Sequence, residues 1–374
     1  GRGAGARISR TKNRREEVAM ETRNSKIDLD ALWQKSLVRV TDEFTLPPII
    51  LQVDDAIIGT LGNFSASTGK AKAKKTFNVS AIVASALING QVLEYRASLP
   101  EGKRKILYFD TEQSPFHCKK VLQRILKLAG LPLDRQPENL IFSHLREIAN
   151  PAVRCEIIRK AIYSIEEVGL VIIDGIRDLM LDINNATQAT TLIGDLMQWT
   201  SEREIHIQTV LHLNKGDDNS RGHIGTELNN KAETVLQVTK DPADEDRSIV
   251  SASFIRSKPF EKFAFRICDE PDNINIPQLD TEYLAELTSP KNGFDYTELT
   301  ENEHRQALEL VYENAEKGFG YGEMVEALRK SYATVTGVTY GIGKVKKLLT
   351  FLKNKRMIIQ NRSKQYVFNP KFYY

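Results

Sequence analysis

The chain has 374 residues, 41% hydrophobic and 27% charged, with a formal net charge of +3. That is the profile of a soluble globular protein long enough for two or three domains, and no apolar run approaches the roughly 20 residues of a membrane span. Cys118, Cys155 and Cys268 are odd in number and far apart, which excludes a disulfide framework or a metal knuckle and places the protein in the reducing cytoplasm.

Residues 1–26 are rich in Gly, Arg and Lys with few apolar side chains, and read as a disordered basic tail. Gly1 opens the chain and a methionine stands at Met20, so part of this tail is expected to be upstream sequence. Ile27 to Leu37 is a short amphipathic segment, and Leu46-Pro47-Pro48-Ile49 is a turn into the core. This lead-in is expected to lie on the core or on a neighbouring subunit.

An apolar-alternating run, Ile57 to Ser67, then meets Gly69-Lys70-Ala71-Lys72-Ala73-Lys74-Lys75-Thr76-Phe77 and a helix-patterned stretch to Asn89. A phosphate-binding loop needs backbone N–H groups turned toward phosphate at a helix start, an ammonium for the terminal phosphates and a hydroxyl for magnesium. Gly69, Lys75 and Thr76 fall on the marks of Gly-x-x-x-x-Gly-Lys-[Ser/Thr], while Lys74 occupies the second glycine. If that position is left-handed, a lysine there costs on the order of 1 kcal/mol over glycine. A rival register, Gly62 to Gly69-Lys70-Ala71, has two residues too many and no hydroxyl after its lysine. The stretch also reads as a basic solvated turn.

Phe77 to Ile88 forms a buried helix closed by Gly90, and Lys105 to Phe109 a central strand ending in Asp110-Thr111-Glu112. Ser114-Pro115 starts a helix with Ser114 as cap, whose stripe is Cys118, Val121, Leu122, Ile125 and Leu126. Asn150-Pro151 repeats that start before the strand Leu170 to Asp174. A helix from Gln188 to Arg203 precedes the strand Ile205 to Leu213, which ends in His212-Leu213-Asn214-Lys215. Asn214 to Asn230 reads as a mobile polar loop, followed by strands at Thr234 to Val238, Val250 to Ile255 and Phe263 to Ile267. Strands alternating with helices predict an α/β fold, a mostly parallel sheet flanked by helices with an antiparallel edge. Ligands of such sheets bind at the carboxyl ends of the strands.

Four strand ends carry candidate chemistry. Asp174 is placed to hold magnesium or its water beside Thr76, and Glu112 to orient or deprotonate a water. His212 can sense a phosphate oxygen, and Arg256 and Lys258 can reach a neighbour's terminal phosphate if subunits form a ring. Each also has a plain reading as a strand-end polar residue or a hydrogen-bonded core histidine.

In this order the loop, Phe109-Asp110-Thr111-Glu112, Ile172-Ile173-Asp174, Leu211-His212-Leu213-Asn214-Lys215 and the Arg-x-Lys pair resemble the RecA-type ATPases, in particular the RepA-like hexameric helicases of plasmids and mobile elements. The resemblance covers residues 45 to 270. It implies ATP and Mg2+ as cofactors, with Lys75 and Thr76 on nucleotide and metal. Glu112 would be the catalytic base, Asp174 the metal-side acid, His212 the sensor, and Arg256 and Lys258 fingers acting in trans. Two departures, Lys74 for glycine and Arg-x-Lys where bacterial replicative helicases use Lys-x-Arg, bear on turnover more than on binding.

From Tyr321 to the end, eleven basic residues face two acids, a balance of +9. Helices are expected at Glu303 to Glu313, Tyr321 to Lys330 and Gly341 to Lys353, the last with Ile342, Val345, Leu348, Leu349 and Leu352 on one face. Met357-Ile358-Ile359 and Tyr366-Val367-Phe368 then flank a polar turn. Three helices and a basic hairpin resemble a winged helix, a module that serves either nucleic acid or protein partners. DNA, single-stranded or duplex, is the expected partner, with Lys344, Lys346, Lys347, Lys353, Lys355, Arg356, Arg362 and Lys364 on its backbone. The expected layout is a tail at 1–26, an ATPase domain at 27–280, a linker at 281–298 and a DNA-binding domain at 299–374. The competing functions are a nucleotide-regulated DNA-binding switch with little turnover, and a kinase acting on a small molecule.

Overall fold

The computed structural model describes residues 27–213, 222–268, 275–288, 295–313, 315 and 317–372. The expected tail at 1–26, the start of the polar loop at 214–221 and the middle of the expected linker at 289–294 lie outside the described residues. The chain divides into two units, Gly1–Pro47 and Pro48–Tyr374. In the first, Leu29–Ser36 is helical, Asp28 caps it through Ala31 N, and none of its residues is buried.

Most of the strands of the second unit form a nine-stranded and a four-stranded sheet among the described residues. In chain order they are β1 (Ile49–Val53), β2 (Ala56–Thr60), β3 (Phe64–Gly69), β4 (Gln91–Val92), β5 (Tyr95–Ala97), β6 (Lys105–Asp110), β7 (Leu140–His144), β8 (Val168–Asp174), β9 (His206–His212), β10 (Thr234–Asp241), β11 (Asp244–Ile255), β12 (Phe263–Cys268) and β13 (Ile276–Leu279). The large sheet runs β13-β12-β11-β10-β3-β9-β8-β6-β7. From β10 to β7 every pairing is parallel, and from β10 to β13 every pairing is antiparallel. The expected parallel sheet with an antiparallel edge is thus observed.

The central strands are apolar on both faces because helices cover both. Val168–Asp174 is buried throughout. Ile106, Tyr108, Leu170 and Ile172 join one core cluster with the helix Lys75–Ile88, while Leu107, Val171, Ile173 and Trp199 join another with the helix Ala186–Arg203. Alternate residues of one strand therefore serve opposite layers.

Several expectations are corrected. The alternating run before the loop is two strands, β2 and β3, separated at Gly62 with φ 87°. β1, β2, β5 and β4 form a separate antiparallel sheet, and β7 adds an edge, neither of which was expected. Asn89 rather than Gly90 takes the left-handed position closing the helix that follows the loop. Ser114 precedes its helix without capping it, its hydroxyl bonding the His117 Nδ1 at 2.9 Å instead. Much of the polar stretch after His212 is the helix Gly222–Lys231, held by buried Ile224 and Leu228. Of the stretch read as linker, Thr281–Thr288 is helical.

Near the carboxyl terminus, helices Glu301–Tyr312, Tyr321–Thr336 and Ile342–Asn354 and the antiparallel pair β14 (Ile358–Gln360) and β15 (Tyr366–Phe368) share a third core cluster. The middle helix runs past its expected end, and Phe319 bridges Tyr366 beside the hairpin. Val345, Leu348, Leu349 and Leu352 are buried, whereas Ile342 sits in the first turn and is 53% exposed. No helix among the described residues is long and apolar enough to cross a membrane.

Candidate functional site

Register brings the strand ends into one row. Gly69 pairs with His212 across β3 and β9, and Asp110 pairs with Asp174 across β6 and β8. Residues distant in sequence thereby meet at the carboxyl edge of the parallel sheet.

The loop leaves β3 at Gly69, where a side chain has no room: an added Cβ would stand 2.5 Å from the Val238 carbonyl oxygen of β10. Lys72 and Lys74 adopt φ of 64° and 70°. Left-handed residues within a turn aim successive amides to one side and make an anion-binding concavity. Lys74 is also the residue before the helix Lys75–Ile88, with ψ 36° and no side-chain cap, so the first amides of that helix are left for a ligand. The conformation that glycine would adopt freely is therefore present, and a lysine adopts it.

Lys75 is buried, and its Nζ donates to the Lys70 carbonyl oxygen at 2.9 Å. Burial lowers its pKa to about 8, against the raising pull of Glu112 and Asp174. Next to it, Thr76 Oγ1 donates to Asp174 Oδ2 at 3.1 Å, and Tyr108 OH donates to the same oxygen at 2.8 Å. Asp174 is fully desolvated. Burial, with Asp110 and Glu112 nearby, raises its pKa to about 7 although both hydroxyls favour the charged form.

Glu112 faces the same space from β6. His212 Nε2 donates to both carboxylate oxygens, at 3.0 Å each. Burial pushes the Glu112 pKa up, but the His212 bond and the charges of His212, Lys75 and Arg177 together hold it below the usual range. His212 Nδ1 is buried without a partner among the described residues.

Supporting residues that sequence reasoning missed hold these groups. Thr111 Oγ1 lies within 3.0 Å of the Asp174 and Gly175 carbonyls and of Asp178 Oδ2, which share its one hydrogen, tying β6 to the turn after β8. Gly175 has φ 107°, and a Cβ there would lie 2.1 Å from Thr111 Oγ1, so only glycine fits. An Asp-Gly pair at a strand end was a readable signal for it. Arg124 stacks on the Phe77 ring at 3.6 Å, and burial lowers its pKa to about 10.

The remaining candidates lie elsewhere. Arg256 follows β11 where Ile255 pairs with Thr234, the first residue of β10, at the opposite end of the sheet from the loop. It donates to the Lys231 carbonyl, and Lys258 pairs with Asp55 at 3.0 Å. Neither touches Lys75, Thr76, Glu112 or Asp174. Lys346, Lys347, Lys353, Lys355, Arg356, Arg362 and Lys364 are exposed, and Lys344 lies over the Tyr340 ring at 4.9 Å.

The site fits a nucleotide phosphate with a hard divalent cation. Thr76 and Asp174 offer oxygen ligands side by side, Glu112 and Asp174 place negative charge beside one buried lysine, and Asp110 adds to the charge around Asp174. No group of three or more His, Cys, Asp or Glu among the described residues is placed to hold a metal. Magnesium takes one or two protein oxygens and completes its shell with phosphate and water, and Thr76 and Asp174 are the residues that would hold it.

Residues 39–218 match the AAA domain family. No curated protein matches the chain. Among solved structures, RadB recombinase aligns with TM-score 0.39 and 14% identity, covering 56% of this chain and 88% of its own. A KaiC-like protein from the hyperthermophilic archaeon Pyrococcus horikoshii OT3 aligns with TM-score 0.42 and 13% identity, covering 59% of this chain and 90% of its own.

Proposed function

We propose that this chain is a RecA-type ATPase that binds ATP with Mg2+ and hydrolyses it while acting on DNA, as a ring-forming helicase or loader in the replication of a plasmid or mobile element. One observation carries the nucleotide reading: Lys75, Thr76, Asp174, Glu112 and His212 converge at the carboxyl ends of adjacent strands around a left-handed loop. The AAA domain match over residues 39–218 supports it. ATP with Mg2+, when bound, supplies a terminal phosphoryl group whose transfer to water is the reaction.

The chain's own residues divide the work. Lys75 turns from the Lys70 carbonyl to bring its charge to the phosphates, while Gly69 to Phe77 supply backbone donors and the helix start. Thr76 and Asp174 hold the metal side. Glu112 takes a proton at a carboxylate oxygen once His212 loosens its hold, and His212 reports on the phosphate. Arg256 and Lys258, at the far end of the sheet from their own loop, are fingers for a neighbouring subunit's nucleotide.

The three helices and the β14–β15 hairpin, which share one core, and the Phe319 bridge support reading residues 299–374 as a winged-helix domain. Its exposed lysines and arginines bind DNA through the backbone. A second reading, a nucleotide-regulated switch with little turnover, is favoured by the strained Lys74 and by Glu112 being held on both oxygens. ATP hydrolysis with and without single-stranded DNA, on the parent and on Lys75→Ala, separates them. DNA-stimulated turnover lost in the variant supports the motor. Nucleotide binding without turnover removes the helicase and leaves the switch.

A further inference from the structure

Glu112 and His212 border a second opening besides the nucleotide loop. A cleft of ≈ 490 Å³ is lined by both, with Arg146, Arg154, Arg177 and the linked pair Thr111 and Asp178. None of residues 69–77 lines it.

Its arginines come from three elements and have different duties. Arg154 is committed to the backbone. Its guanidinium donates to the carbonyls of Leu145 at 3.3 Å, Arg146 at 3.3 Å and Asp178 at 2.9 Å. This joins the turn after β7, which carries Arg146, to the turn after β8, which carries Arg177, and both arginines line the cleft. Both of those are exposed, and Arg177 reaches only 3.6 Å from Asp178. The two acids in the lining are already engaged, Glu112 by His212 and Asp178 by Thr111.

The ligand class follows from what the lining offers. Guanidinium forks match the oxygens of a phosphate two at a time, and they bind it more selectively than ammonium groups do. Among the described residues the lining holds no Phe, Tyr or Trp on which a base would stack and no apolar side chain for a sugar edge, so what they offer is recognition of the phosphate. His212 Nε2 has one hydrogen to give and shares it between two Glu112 oxygens. A phosphate oxygen beside it competes for that hydrogen.

We propose that this cleft is a second phosphate site, in which Arg146 and Arg177 clamp an oxyanion and the bound oxyanion draws His212 off Glu112. The idea rests on the nucleotide reading above, since the freed Glu112 then acts on water at the loop. A phosphodiester of a nucleic-acid backbone and free inorganic phosphate share this chemistry. The first would make the cleft an activating contact, the second a station for the released product.

The test uses the full chain with the loop first filled with ADP, and follows the His212 imidazole in spectra of 15N-histidine-labelled protein, its signal assigned through His212→Gln. Two probes are titrated, a baseless deoxyribose-phosphate 12-mer and inorganic phosphate, into the parent, Arg146→Ala/Arg177→Ala and Arg146→Lys/Arg177→Lys. The expected result is a saturable His212 shift whose midpoint moves at least tenfold in the alanine pair and less in the lysine pair. The probe that saturates at lower concentration identifies the source. Binding to basic surfaces elsewhere does not move His212. No shift with either probe, or an equal midpoint in the alanine pair, overturns the second site. Failure of the parent to bind ADP instead overturns the nucleotide reading, and the two failures are read from separate signals.

Discussion

Charge is placed in opposite ways in two regions of this protein. At the carboxyl edge of the parallel sheet, Lys75 and Asp174 are buried, and burial moves both pKa values toward neutrality, to about 8 and about 7. In the helices and hairpin near the carboxyl terminus, Lys346, Lys347, Arg362 and Lys364 stand in solvent around an apolar core. Buried charge without a full counter-charge is costly until a ligand supplies one, so the sheet edge binds little unless the partner fits in geometry and charge. Exposed charge costs nothing to keep and attracts any polyanion within a Debye length. On the proposed reading, the first arrangement selects a ligand and the second gathers one. Substitutions at the sheet edge should therefore change rates by orders of magnitude, and those at the hairpin end should change affinity by modest, salt-dependent factors.

The largest effect is expected from Glu112→Gln. The amide keeps the shape but cannot take a proton, and loss of a general base costs roughly 10²–10⁴-fold in rate. ATP affinity should stay within about threefold, since neither Lys75 nor Thr76 bonds to Glu112. Single-turnover hydrolysis beside equilibrium binding would check this. Equal turnover in parent and variant would place the base elsewhere and favour the switch.

Asp174→Asn sharpens the comparison from the side of stability. The Asp174 pKa is raised from 3.8 to about 7 in the folded protein. A carboxyl group raised in this way stabilises the fold below its unfolded pKa, and that contribution is lost as pH rises through the folded one. In chelator at pH 8 the asparagine variant should be more stable than the parent, by roughly 2–4 kcal/mol. The gap should close as the pH is lowered toward 4. With Mg2+ and nucleotide the order should invert, because only the parent carries the metal-side acid. Thermal melts across this pH range, with and without ligand, read all three. A pH-independent difference would mean that Asp174 is already paired in the unliganded protein.

How far the sequence foretold each region follows from the range of the interactions involved. Lys75 and Thr76 were visible because they fall on the spacing of a phosphate loop, and Glu112, Asp174 and His212 because each stands at or just past the end of an apolar run; both are local features. Thr111, Gly175 and Tyr108 were not, since what they do depends on a neighbour across the sheet. Tyr108 meets Asp174 only through the β6–β8 register, 66 residues away. The helix Gly222–Lys231 was read as a loop because Gly, Asn and Thr dominate it, and two buried residues, Ile224 and Leu228, override that local preference. The sheet β1-β2-β5-β4 escaped because β4 has two residues and β5 three, too short for alternation to show. The three final helices were legible, since their apolar positions recur at helical spacing around one small core.

On the solvent side, Lys346→Ala with Lys347→Ala should weaken DNA binding several-fold without changing sequence preference. Each lost backbone contact should lower the slope of log affinity against log salt by about 0.7–0.9. Anisotropy titrations over a salt series measure it. An unchanged slope would remove this helix face from the DNA and leave the hairpin residues Arg362 and Lys364 to carry the contact.

The smallest effect is expected where the two uses of charge meet, at Lys74. It is a half-buried cation held at φ 70° beside a buried lysine. Replacing it by glycine relieves backbone strain on the order of 1 kcal/mol but returns some of that as conformational entropy of the unfolded chain. Melting temperature should therefore barely move. Turnover is the informative readout. If Lys74 only strains the loop, Lys74→Gly should raise ATP hydrolysis a few-fold at constant nucleotide affinity. If its ammonium instead helps hold the phosphates, affinity should fall in the variant, and more steeply at low salt. The second result would move Lys74 from a tolerated departure to a binding residue, and would extend the ligand-selecting charge of the sheet edge by one position into the loop.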